Sequence, residues 1–77
     1  MDGLLKADEV RNLETPKVGE KVLRVDGKDK MTCTVVGVYP DYVLVEEVNY
    51  GYRETVMKVD LYTRKVKMRR IDKENKQ

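Results

Sequence analysis

The sequence predicts a small all-β domain, and three observations support this prediction. The 77 residues have room for only one hydrophobic core. After Pro16, short runs rich in Val, Thr, Tyr and Met are separated by Gly, Asp, Asn and Pro, which is typical of strands joined by tight turns. Apolar residues make up 40% of the chain, which is too many for a disordered protein.

Five strands are expected, at residues 21–25, 30–39, 42–47, 52–59 and 65–71. The turns between them are predicted at Asp26-Gly27, at Pro40-Asp41, at residues 49–52 and, as a short turn, at residues 59–61. Gly37 lies inside the long second strand, where a glycine often marks a bend. A bent strand can serve two sheets around one core, so we expect a closed sheet in which Val35, Val43, Val45 and Met68 meet.

The N-terminal segment has apolar residues at spacings of three and four, from Leu4 to Leu13, which predicts a short helix. Pro16 disfavours helical geometry at Thr15 and so closes it. A partly ordered arm is the alternative, because so short a helix is unstable unless it docks. The predicted organisation is therefore a helix or arm at 1–17, a β-barrel at 18–71 and a charged tail at 72–77.

The composition predicts that the protein is not an enzyme and holds no metal or cofactor. It contains no histidine and no serine, and Cys33 is its single cysteine, which excludes His/Cys zinc sites, iron–sulfur clusters and Cys–His nucleophile pairs. Glu46 and Glu47 are adjacent on a strand, so their side chains point to opposite faces and cannot share a substrate. We expect Cys33 to be a small buried hydrophobic residue.

The expected location is the cytoplasm, because the first residues are acidic where a signal peptide would be basic. A lone thiol is compatible with that reducing compartment. The apolar runs are far shorter than the roughly 20 residues that span a bilayer, so no membrane partner is expected.

The C-terminal segment is strongly basic. Residues 64–77 carry a net charge of +5, whereas residues 1–63 carry −3. Such a cluster can neutralise phosphates of single- or double-stranded nucleic acid, with an aromatic ring for stacking. The residues proposed for this role are Tyr62, Arg64, Lys65, Lys67, Arg69 and Arg70. The alternative is that an edge strand carries these cations to prevent edge-to-edge pairing.

The five aromatic residues are all tyrosines, which are favoured at protein interfaces. Tyr50, Tyr52 and Arg53 lie at or beside the predicted turn at residues 49–52, where they could contact a protein partner. Either a protein or a nucleic acid is therefore a possible partner, and the sequence leaves the oligomeric state open.

Several segments together resemble a known pattern: Val18-Gly19-Glu20-Lys21-Val22, Asp26-Gly27, Thr34-Val35-Val36-Gly37-Val38, Tyr42-Val43-Leu44-Val45 and Asp60-Leu61. They are similar to the small SH3-like barrels of the KOW and Tudor-like kind, and to uncharacterised small prophage proteins with such a fold. The resemblance implies a five-stranded SH3-like barrel. Such barrels have many unrelated functions, so the function is predicted from the residues. The tyrosines, the uneven charge and the lack of catalytic residues predict a protein-interaction module, such as a phage or mobile-element accessory that modulates a partner enzyme. The alternative is a nucleic-acid-binding domain that uses the basic C-terminal strand. No Trp or Phe is present to complete the aromatic cage of a methyl-reading Tudor domain.

Overall fold

The computed structural model describes residues 7–71. It contains five strands and two one-turn helices: α1 (Ala7–Arg11), β1 (Lys21–Asp26), β2 (Asp29–Val38), β3 (Tyr42–Glu47), β4 (Arg53–Met57), α2 (Lys58–Tyr62) and β5 (Val66–Arg70). The all-β prediction is confirmed. The first residues of the predicted N-terminal helix and the predicted tail at 72–77 lie outside the described residues. Neither described helix is long and apolar enough to cross a membrane.

All five strands belong to one antiparallel sheet in the order β4-β3-β2-β1-β5. The first four strands follow one another as a meander, joined by the predicted turns. The fifth strand pairs with β1 instead of β4, so the chain crosses from one edge of the sheet to the other through α2. The two edges of the sheet are therefore β4 and β5.

The core lies on one side of the sheet, because every second residue of each strand points to that side. It consists of Val22, Met31, Cys33, Val35, Val43, Val45, Val56 and Val66, with Leu61 and Met68 packed against them. The expected meeting of Val35, Val43, Val45 and Met68 is confirmed. Cys33 is fully buried, and its burial raises the pKa of the thiol, so it behaves as a small hydrophobic residue.

The predicted bend at Gly37 is present as a register shift between Val35 and Gly37 in the pairing of β2 with β3. The ring of Tyr39 lies directly over Gly37, where a Cβ atom would come within 2.6 Å of the ring. Tyr39 in turn stacks on Tyr42, with 4.8 Å between the ring centroids. Only glycine leaves room for this close approach, so the glycine and the tyrosine pair form one packing unit.

The predicted strand at residues 52–59 and the predicted short turn at residues 59–61 are wrong where the two meet. Strand β4 ends at Met57, and residues 58–62 form the one-turn helix α2 instead of a strand end and a short turn. Two long-range contacts favour the helix: the Lys58 amide donates to the Asp41 carbonyl at 2.9 Å, and Leu61 packs on the core. Arg64, with φ of +66°, then leads the chain away from α2 in the left-handed conformation.

The N-terminal helix α1 is docked, which decides between the two predicted alternatives for its described part. The Lys58 amine is almost fully buried and donates to the Arg11 carbonyl at 3.1 Å. Arg11 also pairs with Asp41, and the Tyr62 hydroxyl donates to Glu9. No residue of α1 is itself buried, so polar contacts hold the helix in place.

A buried arginine crosses the core side of the sheet. Arg24 of β1 is 4% exposed, and its guanidinium holds the Glu54 carboxylate of β4 with N–O distances of 3.0 and 3.1 Å. A third contact, of 3.3 Å, joins it to Asp29. Because β1 and β4 are not neighbours in the sheet, this ion pair joins two strands that share no backbone hydrogen bonds.

Candidate functional site

The two sides of the sheet differ in chemistry, and β1 shows how they are assigned. Val22 and Arg24 are buried on the side that faces the core, here called the inner side. Lys21, Leu23 and Val25 alternate with them and therefore lie on the opposite, outer side.

The same alternation places Lys30 of β2, and Lys67 and Arg69 of β5, on the same outer side of the sheet as Lys21. All four side chains are exposed. We call this set the basic face: Lys21, Lys30, Lys67 and Arg69. It spans three neighbouring strands, β5, β1 and β2.

The strand register fixes the arrangement of the basic face. Val25 is opposite Lys67 on one side and Lys30 on the other, and Leu23 is opposite Arg69. Cations that flank Val25 are thus two strand spacings apart, about 10 Å between backbones. The half-buried Leu23 and Val25 form an apolar strip between the cations, along which lysine stems can lie.

No carboxylate of residues 7–71 lies within ion-pair distance of any cation of the basic face. Glu46 also lies on the outer side, two strands away from Lys21, but it pairs with Arg53 at 3.6 Å. Asp29 points to the inner side, where it contacts Arg24. The positive charge of the basic face is therefore uncompensated by the described part of the protein.

The other predicted nucleic-acid residues of the C-terminal segment are dispersed. Lys67 and Arg69 belong to the basic face, whereas Arg64 and Lys65 are exposed in the turn before β5. Arg70 alternates to the inner side and is held by an ion pair.

The partner of Arg70 is Glu20, at 3.2 Å. The backbone amide of Lys17 donates to the same carboxylate, and together the amide and the guanidinium lower the pKa of Glu20. Arg70 is thereby committed to a contact that fastens the end of β5 to the residues before β1.

Tyr62 is separated from the basic face. It lies on α2, and its hydroxyl donates to the Glu9 carboxylate at 2.6 Å. This hydrogen bond to an anion raises the pKa of Tyr62. The Tyr62 hydroxyl therefore helps to dock α1, and the ring that we expected to stack on bases lies on a different element from the basic face.

The predicted protein-binding residues come together at the β3–β4 turn. Tyr50, at the tip of the turn, is 85% exposed, and Tyr52 is 55% exposed. Arg53 is the first residue of β4. The buried carboxylate of Glu47 accepts hydrogen bonds from the amides of Asn49 and Tyr50, which fixes the turn. This turn is at the opposite edge of the sheet from β5.

Sequence reasoning missed Lys21 and Lys30 because each stands alone in a segment of mixed charge. The pairing of β5 with β1 brings them beside the C-terminal cations. The sequence does place both lysines in predicted strands. Only the strand order, however, shows that β1 lies next to β5 and β2 next to β1.

Among the described residues, no group of three or more His, Cys, Asp and Glu side chains is placed to hold a metal ion. Comparison of the chain with protein-family models, curated proteins and solved structures finds no match.

Proposed function

We propose that this protein is a non-catalytic binding domain with an SH3-like barrel fold, and that its basic face binds nucleic acid through the phosphates. The observation that carries this proposal is the grouping, on one side of three neighbouring strands, of four cations that form no ion pair with residues 7–71. The proposal keeps the nucleic-acid function predicted from the basic C-terminal segment and moves it to a surface that includes β1 and β2.

The barrel assignment is supported by a side-chain contact between two strands that are not neighbours in the sheet. In a flat sheet, β1 and β4 would be three strand spacings apart, about 14 Å. The paired Arg24 and Glu54 side chains approach from these two strands on the inner side. This contact, the bend at Gly37 and the return of β5 to β1 are features expected when a five-stranded sheet folds over its own core.

Phosphate binding is supported by the charge of the basic face, whose cations form no ion pair with any carboxylate of residues 7–71. A polyanion that covers the face can release counterions for each phosphate neutralised, a gain that is independent of base sequence. The half-buried Thr32 and the apolar strip offer little for reading base edges, so we expect weak sequence preference.

The test is the affinity for a fluorescently labelled 20-base-pair duplex, measured by anisotropy over a salt series. Four phosphate contacts predict a log–log slope of about −3.6 for duplex DNA. In the double variant Lys21→Ala with Lys30→Ala, the slope should become shallower by about 1.8.

The matched control removes two cations that lie outside the strands, Lys17 and Lys28, by substitution with alanine. It should lower the net charge equally and leave the slope nearly unchanged. No measurable binding by the unaltered protein at low salt would eliminate the proposal. An equal effect of the control variant would show that net charge, and not the basic face, governs binding.

A second candidate function is protein binding at the β3–β4 turn, as expected for an accessory that modulates a partner enzyme. It is favoured by the exposure of Tyr50 on a turn that Glu47 holds rigid, since a preorganised aromatic loses little entropy on binding. Affinity capture from a lysate with the intact protein and with Tyr50→Ala tests it. Recovery of the same proteins by both would argue against this site.

A further inference from the structure

A groove of about 500 Å³ runs beside the inner side of β5, at the edge of the sheet. Its apolar lining comes from three parts of the chain: Leu13 and Pro16 before β1, Leu61 of α2, and Val66 and Met68 of β5. The nucleic-acid proposal does not use this apolar lining, because the lining is on the inner side of β5 and the basic face is on the outer side.

Cations also line the groove, namely Arg64 in the turn before β5, and Lys67 and Arg69 on the strand itself. Glu14 is the one acidic side chain in its lining. Three cations against one carboxylate favour an occupant with negative charge.

The backbone of β5 is open along the same edge. The Ile71 amide donates to the Lys21 carbonyl of β1 at 3.1 Å, so Ile71 directs its backbone groups inward to the sheet. Because alternate residues of a strand direct these groups to opposite sides, the amides of Met68 and Arg70 face the free edge. No strand among residues 7–71 pairs with this edge.

These features define the side-chain pattern of a strand that would fit. Residues of an added strand on the inner side would lie beside Val66 and Met68, over the apolar lining. Residues on the outer side would lie beside Lys67 and Arg69, where carboxylates gain cross-strand ion pairs. The same two cations repel a second copy of β5, so the edge is selective and does not promote self-association.

We propose that the free edge of β5 binds an extended protein segment in which apolar and acidic residues alternate, and adds it to the sheet as a sixth strand. Main-chain hydrogen bonds to Met68 and Arg70 hold the segment, and the alternating side chains select it. This site shares Lys67 and Arg69 with the basic face, but it requires neither Lys21 nor Lys30 and does not depend on nucleic-acid binding.

The test uses a capped eight-residue peptide of alternating valine and glutamate, titrated into the full-length protein at low salt. A peptide of the same composition with four valines followed by four glutamates is the control for charge alone. We expect the alternating peptide to bind at least about tenfold more tightly, since only it can satisfy both sides of the strand. On binding, hydrogen exchange at the Met68 and Arg70 amides should slow.

A second experiment reverses the charge of the β5 cations and of the peptide. The variant Lys67→Glu with Arg69→Glu should lose the glutamate peptide and gain binding of a peptide of alternating valine and lysine. The variant Lys21→Glu with Lys30→Glu, which alters the basic face but not β5, should bind the glutamate peptide within about twofold of the unaltered protein.

Three results would each overturn the proposal. They are an absence of peptide binding, equal binding of the alternating and block peptides, and unchanged exchange at both amides in the presence of saturating peptide. The exchange measurement needs no substitution, so it stands even if the charge-reversed variant fails to fold. Peptide binding without duplex binding, or the reverse, would separate this site from the nucleic-acid proposal.

Discussion

Replacing Gly37 with alanine should force a methyl group against the ring of Tyr39. An ideal Cβ atom at Gly37 lies 2.6 and 2.9 Å from two ring carbons of Tyr39 and 2.8 Å from its hydroxyl oxygen. Ordinary contacts between carbon atoms are about 3.5–4.0 Å, so the ring must move by about 1 Å. That movement disturbs its stacking on Tyr42.

The expected cost follows from two opposing contributions. Overpacking of a well-packed site destabilises by about 1–3 kcal/mol, whereas alanine is better than glycine in a strand by about 0.5–1 kcal/mol. We therefore expect Gly37→Ala to lower the free energy of unfolding by about 1–2 kcal/mol. For a domain of this size, the melting temperature should fall by roughly 5–15 °C.

A double-mutant cycle with Tyr39→Ala isolates the contact. Without the ring, the new methyl group meets no obstacle from it, so Gly37→Ala should be neutral or slightly stabilising in that background. Urea unfolding of the four proteins, followed by circular dichroism, gives the coupling energy, expected to be about 2 kcal/mol. An equal cost of Gly37→Ala in both backgrounds would refute the reasoning.

Three further predictions concern α2 and the buried ion pair. Arg64→Gly should stabilise the protein by up to about 1 kcal/mol in urea unfolding, because a left-handed φ of +66° strains any residue with a Cβ atom. Glu9→Gln should lower the pKa of Tyr62 toward its ordinary value of 10.0, as followed by the ring resonances in NMR. Since that pKa is raised only in the folded chain, the contact stabilises below about pH 10, and its contribution is lost as the pH rises through the folded value. Glu54→Gln should destabilise by about 1 kcal/mol more than Arg24→Met, because Arg24 is the buried partner and keeps its charge when Glu54 is neutralised.

The sequence predicted best those elements whose signals are local. The bounds of β3 matched the prediction, because a dense apolar run is enclosed by the Pro40-Asp41 turn and by the turn at residues 49–52. The predicted burial of Cys33 and Val35 on β2 is also confirmed. Turn residues and the alternation of apolar and polar residues involve only a few neighbouring positions, so they can be recognised without knowledge of the fold.

Features that depend on contacts distant in sequence were not predictable in the same way. The sequence predicted a strand to residue 59 and a short turn at residues 59–61. Only the contact of Lys58 with Asp41 and the packing of Leu61 show why the chain turns into a helix. Propensity is a weak guide where tertiary contacts decide.

At the candidate site, too, residues with a local signal were predicted and residues that depend on the strand order were not. Lys67 and Arg69 were found from the charge of their segment, whereas Lys21 and Lys30 join them only through the strand order. Tyr62 was assigned to stacking because it is close in sequence to these cations, yet its hydroxyl is bonded to Glu9. Nearness along the chain is a poor measure of nearness on a surface when a strand crosses the sheet.

The reactivity of the buried Cys33 thiol can be used to measure how often the folded protein opens. As the single thiol of the chain, in the middle of β2 and with a raised pKa, it can meet a water-soluble alkylating reagent only when strands separate around it. Its labelling rate therefore follows the population of molecules with an open interior, and each 1.4 kcal/mol of opening free energy slows labelling about tenfold. Every substitution discussed above can be ranked by mass spectrometry in this way, in native buffer and without denaturant.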